Sequence, residues 1–520
     1  MLHSVRSLRG MVTAPHHLAS QAGLSVLQDG GSALEAGVAV AACLAVVYPH
    51  MTGIGGDGFW LIAEPDGSTR AIHGCGGAAA AADLSLYAGM AGVPTRGPLA
   101  ANTVAGTISA WAEALKGGTL PLARILRDAI HHAEHGVAIT KTGAEIVAAK
   151  ASELRDQPGA WAATYGDARE GEVRKQPALA ATLRRLAEEG LDSFYTGALA
   201  DDIAMDLEAL GSPVSRADLA AHRVETPDPL RLGIEGVELF NSAPPTQGAA
   251  SLLILGLADR LPKGDADSFA HIHGLVEATK QAFIYRDAHV GDPAYMPSGP
   301  QALLDDAGAL DAMAARIDLA KALPWPHVPQ PGDTCWFAAA DSEGRVVSCI
   351  QSTYFEFGSG LVLPKTGITW QNRGSSFRLT PDGWNALQPG RKPFHTLNPA
   401  LARFDDGRVM AYGTMGGEGQ PQTQAALFSR YAWHGVNLQE AITRPRWLLG
   451  KTWGEESVTL KLESRFDDAL VAKLRSAGHD VEMLPAFTAV MGHAGAIVRH
   501  PSGVLEGATD PRSDGQVAAW

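Results

Sequence analysis

Residues 329–350 read PQPGDTCWFAAADSEGRVVSCI: a proline-rich run closes on Gly332-Asp333 and passes at Thr334 into an apolar strand. Four prolines fall within positions 324–331, so 322–333, ALPWPHVPQPGD, reads as extended, solvated linker. CWFAAAD and RVVSCIQS flank a DSEG turn and read as a β-hairpin. The junction admits two readings. Asp333 and Thr334 form an ordinary turn, which local sequence favours because threonine is common where strands begin. Alternatively the chain is cut between them and Thr334 becomes a new N-terminus. A threonine hydroxyl is a poor nucleophile without a base, and an N-terminal threonine carries one: its free α-amine, with a pKa far below that of a lysine.

Working outward, the texture changes at this junction. Upstream, a helix over roughly 17–28 stops at Gly30-Gly31, and Ser32 with Glu35 forms a capping box for the next helix. That second helix, AGVAVAACLAVVYP at 36–49, is apolar nearly all round, which predicts burial between layers. GIGGDGF (53–59) then opens the strand FWLIAE, with a PDG turn and a returning strand through Ala71-Ile72-His73. Its glycines lack the spacing and the following helix of a phosphate loop, so close backbone packing is the expectation. From 101 to 320 the pattern is mainly helical, with a strand interlude VELFNSAPPTQG at 237–248. Downstream come short strands (GLVLP, ALARF, VMAYG), helices near 421–435 and 467–477, and a last strand pair near 480–500. Helices on both sides of an all-strand centre predict a layered α+β sandwich.

The bulk composition narrows the classes. The 520 residues are 46% hydrophobic and only 19% charged, enough apolar chain for a substantial core. A formal net charge of −14 argues against a nucleic-acid groove or an anionic membrane as partner, and any anionic substrate must meet a local basic pocket. Cys43, Cys75, Cys335 and Cys349 have no CxxC spacing and demand no oxidising compartment. The opening MLHSVRSLRGMVTAPHH has no apolar signal core, and the 36–49 run is too short to span a bilayer, so the expected location is the cytoplasm.

One motif competes for attention. His131-His132-Ala133-Glu134-His135 matches an H-x-x-E-H zinc pattern, with His131 and His135 one helical turn apart and Glu134 as base. No downstream acidic ligand stands out, and the same residues read as the wet face of an amphipathic helix. His271 and His273, two apart, are a weaker pair. No metal or organic cofactor is expected.

MVTAPHHLASQAGLSVLQDGGSALEAGVAVAACLAVVYPHMTGIGGDGF, LAANTVAGTISAWAEAL, DLAAHRVETPDPLR with FNSAPPTQG, GDT, FGSGLVLPKTGITWQN, YGTMGGEGQ and TDPRS follow one another in order from about 10 to 513. Together they resemble the γ-glutamyltransferase family of N-terminal-nucleophile (Ntn) hydrolases. The resemblance implies an αββα four-layer sandwich, made as a precursor that cuts itself into a large chain, 1–333, and a small chain, 334–520. The two stay together as an αβ heterodimer, open to further dimerisation. It also implies Thr334 as nucleophile, the Asp333–Thr334 bond as cleavage site and Ser352 as supporting hydroxyl. The N–H groups of Gly416 and Gly417 would form the oxyanion hole, and Asn372 would line the pocket. On local grounds alone, Gly416-Gly417 reads as a strand-to-helix turn.

Departures from the family pattern bear on substrate. Cys75 stands where γ-glutamyl enzymes carry an arginine for the α-carboxylate, and Ser376 where they carry an acid for the α-amine. His395 and Thr396 replace paired serines, Tyr354 an asparagine and Arg373 a glutamine; the loop from Phe377 to Pro393 is short. Such a pocket has lost its partner for an ammonium and gained a guanidinium. It should reject a zwitterionic amino acid and accept a small anionic amide clamped by Arg373. Oxamate fits, and QSTYFEFGSGLVLPKTGITWQNRGSSF resembles the oxamate amidohydrolase branch. Arg373 could instead make a structural ion pair with Asp333 or Glu356. Rival functions are a γ-glutamyl hydrolase or transferase, an acylase for bulkier amides, and an inactive binding protein retaining the fold.

Overall fold

The structure is a computed structural model that describes residues 3–325, 333–450 and 457–520. Its centre is two facing β-sheets. The six-stranded sheet runs Gln516–Ala519, Gly10–Ala14, Asp333–Asp341, Val346–Tyr354, Asp57–Ala63, Thr69–Gly74. The seven-stranded sheet runs Val5–Ser7, Leu505–Thr509, Ala494–Arg499, Val409–Thr414, Ala400–Phe404, Val237–Asn241, Leu230–Ile234. All pairings in both sheets are antiparallel.

Side-chain alternation along the strands sorts the core into three apolar layers. Within Asp333–Asp341, Cys335, Phe337 and Ala339 point to the helices that cover the six-stranded sheet. Trp336, Ala338 and Ala340 point the other way, into the layer between the sheets with Phe59, Leu401, Ala411 and Ile497. Val409–Thr414 alternates likewise, with Val409 and Ala411 between the sheets and Met410 and Tyr412 against the second helical layer. Helices His17–Gln28 and Ala33–Val47 form the first outer layer; Gly248–Asp259, Phe269–His289 and Gly419–Ala432 form the second. The order is therefore helix, sheet, sheet, helix, the expected four layers.

Local expectations hold where a short-range cause sets them. The first helix is His17–Gln28, Gly30 takes φ 90°, and Ser32 and Glu35 form the capping box. All fifteen residues of Ala33–Val47 are buried, as an all-apolar helix requires. The hairpin forms with Cys349 opposite Phe337. The glycines of 53–58 serve backbone packing: a Cβ on Gly56 would run into the Ser352 carbonyl.

Three expectations need correction. GLVLP makes only an isolated bridge, Val362 with Thr369, because its backbone instead ties loops together, Val362 O accepting from Ala160 N. The strands near 480–500 are not partners: Val481–Leu484 lies parallel to Leu460–Glu463 in a separate three-stranded sheet, and Ala494–Arg499 pairs with Leu505–Thr509. Asp333 and Thr334 are not a turn; both lie in the strand Asp333–Asp341. Most of the expected linker, 326–332, is outside the described residues. Among the described residues no helix is long and apolar enough to cross a membrane.

Candidate active site

Thr334 has the same strand parity as Trp336 and Ala338, so its side chain belongs to the face between the sheets, where it is fully buried. Its Oγ1 accepts a hydrogen bond from Nε2 of Gln420, 3.2 Å away, on the first turn of helix Gly419–Ala432. That contact brings the start of this helix, and the Gly416-Gly417 turn just before it, to Thr334. The turn links strand Val409–Thr414 to the helix with φ of 119° at Gly416 and 49° at Gly417, values a side chain resists. Gly416 O accepts from Gly419 N and Gly417 O from Gln247 Nε2, which fixes both peptides. Among the described residues, neither the Gly416 nor the Gly417 N–H has an acceptor. Two fixed, uncommitted donors beside a hydroxyl are what an oxyanion requires.

The neighbouring strand is shaped to meet this point. Ser352 lies opposite Asp57, and beyond Gln351 the register shifts so that Tyr354 pairs with Asp333. Tyr354 N donates to Ser352 Oγ at 2.7 Å, and Tyr354 takes φ 83°, the left-handed region, rare for a bulky side chain. A bulge of this kind re-aims a side chain. Here it lays the Tyr354 ring under the Arg373 guanidinium, 3.7 Å from the ring centroid.

Arg373 is 1% exposed, and its Nη1 donates to the Thr396 hydroxyl at 3.4 Å. Among the described residues Nη2 has no hydrogen-bond acceptor. Among the described residues no carboxylate lies within ion-pair reach of Arg373. Glu356 is taken by Arg96 and Lys150, each at 3.6 Å, which removes it as a structural partner; the Asp333 side chain is outside the described residues. Burial pulls the guanidinium down to about 10, with Tyr354, Asp57 and Cys75 pulling weakly the other way.

Two further buried polar groups lie within electrostatic reach of Arg373, one of them missed by sequence reasoning. Asp57 of GIGGDGF is buried; Oδ1 accepts from Gly106 N (3.0 Å) and Gln371 Nε2 (3.2 Å), while Oδ2 has no hydrogen bond and lies 3.4 Å from His395 Nε2. Burial raises its carboxyl to about 7, opposed chiefly by Arg373. His395 is fully buried with neither ring nitrogen hydrogen-bonded, and burial, then Arg373, holds it well below 6.5, so the contact with Asp57 is not an ion pair. A lone carboxylate inside a glycine run at the head of a buried strand was the available signal. Gln420 carried none, because only the helix packing brings it to Thr334.

The other expected residues divide. Cys75 is buried within electrostatic reach of Arg373 and Asp57, and burial pushes its thiol up. The Asn372 amide is committed to structure, Oδ1 accepting from Phe355 N and Nδ2 donating to Thr95 O, so it braces the pocket wall. Ser376 Oγ donates to Phe394 O at 3.3 Å, likewise inward to the chain. The His131, Glu134, His135 set lies on helix Arg127–His135, and Glu134 pairs with Arg184. Among the described residues the one metal-capable trio is His273, Glu277 and His479, already occupied by mutual contacts and Lys280.

The family model described as Gamma-glutamyltranspeptidase matches residues 19–520. The chain is 56% identical to the oxamate amidohydrolase proenzyme of Klebsiella pneumoniae, with 99% of each covered. It is 40% identical, over 99% of each, to a glutathione hydrolase-like proenzyme of Bacillus subtilis. Among solved structures, cephalosporin acylase from Bacillus halodurans superposes with a TM-score of 0.92 at 34% identity, covering 100% of this chain and 97% of that one. With a family match over nearly its whole length and the four-layer fold around Thr334, this chain is an enzyme of the gamma-glutamyltranspeptidase family.

Proposed function

We propose that this enzyme is an autoprocessing amidohydrolase for a small anionic amide, oxamate, which it converts to oxalate and ammonia. The observation that carries the reading is Arg373: a buried guanidinium, stacked on Tyr354, with Nη2 uncommitted and no ion-pair partner among the described residues. A buried cation with no carboxylate in direct contact is costly, and a substrate carboxylate is the group that would relieve the cost. Tyr354 pairs with the residue preceding Thr334, so a carboxylate on Arg373 would have its adjacent carbonyl near the hydroxyl. The 56% identical relative of Klebsiella pneumoniae bears the corresponding name.

In this reading the precursor is cut between Asp333 and Thr334, giving chains 1–333 and 334–520. The two remain together because both sheets interleave them: Asp333–Asp341 lies between Gly10–Ala14 and Val346–Tyr354, and Val346–Tyr354 lies against Asp57–Ala63. The freed α-amine of Thr334, near pH 8 by nature, takes the hydroxyl proton as Oγ1 attacks the amide carbon. The N–H groups of Gly416 and Gly417 hold the oxyanion. The C–N bond breaks, the ammonium hands its proton to the leaving nitrogen, and ammonia departs. Water, deprotonated by the same amine, attacks the ester, which breaks to return Thr334 and oxalate. Gln420 Nε2 keeps the hydroxyl oxygen aimed, and Ser352 supports the bulge. Among the described residues no disulfide joins any of the four cysteines, which fits a cytoplasmic location.

The test is ammonia release from oxamate and glutamine, and glutamate release from glutathione, by the two-chain enzyme. Release from oxamate alone is expected; turnover of glutathione with none of oxamate overturns the substrate.

A further inference from the structure

The carboxylate of Asp57 has no role in the chemistry just described, yet it is the strongest unassigned group near the pocket. We propose that Asp57 is an exchangeable counter-charge to Arg373: ionised in the empty site, it takes a proton from solvent onto Oδ2 when a substrate carboxylate arrives, so that anion binding is coupled to proton uptake. The inference rests on Arg373 as the clamp.

Three observations carry it. First, the two oxygens of Asp57 are unequal. Oδ1 already accepts two N–H donors, whereas Oδ2 accepts none among the described residues and the Gly76 N–H acts on the carboxylate more weakly than either, so a proton added to Oδ2 displaces no established donor. Second, among the described residues Asp57 is the one carboxylate acting on Arg373, and both are buried. A second carboxylate on the same guanidinium, in a buried site, opposes the ionisation of the first. Third, His395 suits either state. Its neutral ring can donate from Nε2 to the ionised Oδ2 or accept there from the protonated one, the ring hydrogen then residing on Nδ1.

The other groups that face Asp57 do not take over this part. Tyr195 is locked, donating to Ala105 O and accepting from Ser109 N. Burial pushes the Cys75 thiol up and leaves it neutral. Behind His395, burial holds His73 near 3, and Lys392 is paired with Glu225. The balance is one proton from solvent joined to Oδ2 and no other bond made or broken. Asp57 is thus a positioning residue.

Calorimetry of oxalate binding to the two-chain enzyme, in buffers of different ionisation heat, tests this without requiring turnover. At pH 8.5 close to one proton is expected to be taken up per oxalate, and affinity should fall about fifteenfold between pH 7 and 8.5. Asp57→Asn should lose this uptake and keep only the shallow pH dependence that the Thr334 amine contributes. No uptake by the natural enzyme, an unchanged pH slope in Asp57→Asn, or no oxalate binding would each overturn the proposal. If Asp57→Asn does not mature, uptake by the natural enzyme decides. Parallel ammonia assays separate the two ideas: proton-linked oxalate binding without oxamate turnover overturns the substrate only, whereas turnover without uptake overturns the role of Asp57.

Discussion

Arg373→Met separates a substrate clamp from a structural arginine, because the two predict opposite changes in stability. The fall of Arg373 from 12.5 to about 10 corresponds to roughly 3 kcal/mol of lost hydration. Arginine is protonated in both folded and unfolded chains below pH 10, so this cost weighs on the fold throughout the working range and fades only above that. Methionine of similar length removes it. Against that stand the stacking on Tyr354, worth about 1–2 kcal/mol, and the long bond to Thr396, worth at most about 1 kcal/mol. The apo enzyme should therefore keep its melting temperature or gain slightly. Activity should move the other way. Two charge-assisted bonds to a carboxylate amount to roughly 3–5 kcal/mol, so kcat/KM for oxamate should fall between about a hundredfold and a few thousandfold. Arg373→Lys should recover only part, since a point charge cannot fork. Thermal scanning and ammonia release check both halves. An unchanged kcat/KM, or a loss of activity that tracks a large drop in melting temperature, would refute the reasoning.

Other outcomes follow from the same geometry. Thr334→Ala should give one uncut chain by intact mass and no turnover; two fragments would reject Thr334 as the self-cleaving residue. Gln420→Ala removes a donor to the Thr334 hydroxyl and should lower kcat about tenfold with KM little changed, read from steady-state kinetics. Gly416→Ala forces a Cβ onto φ 119° and should cost 10²–10³ in kcat by misplacing the turn, while the protein still folds. All four cysteines are buried, so a thiol reagent should label the native protein at none of them and the denatured protein at four.

The features legible along the chain were those with a local cause. The Ser32–Glu35 capping box, the stop at Gly30, the apolar helix Ala33–Val47 and the hairpin around DSEG each rest on neighbours a few positions apart. Strand parity, too, is a property of the sequence, and it alone put Thr334 on the same face as Trp336. Ordered resemblance over the whole chain supplied the family and the expected residues. The local preference for a turn at Asp333-Thr334 failed because pairing with Tyr354, twenty-one positions on in the sequence, draws both residues into the sheet.

The remainder depended on where distant segments meet. Arg373 could be read as a guanidinium in a pocket, but its missing counter-ion follows from Glu356 being claimed by Arg96 and Lys150, brought in from the far end of the chain. The resemblance placed Asn372 beside the substrate, and the fold adds that its amide ties Phe355 N to Thr95 O. Asp57 joins His395 and Arg373 only because the two sheets face each other. Periodicity and turn chemistry, which act over a few residues, set the expected layers, and the ordered family resemblance marked Thr334 as the hydroxyl at their centre. Which charges are paired and which stand exposed to a ligand was decided by tertiary structure alone, because the energy of a buried charge depends on every group packed around it.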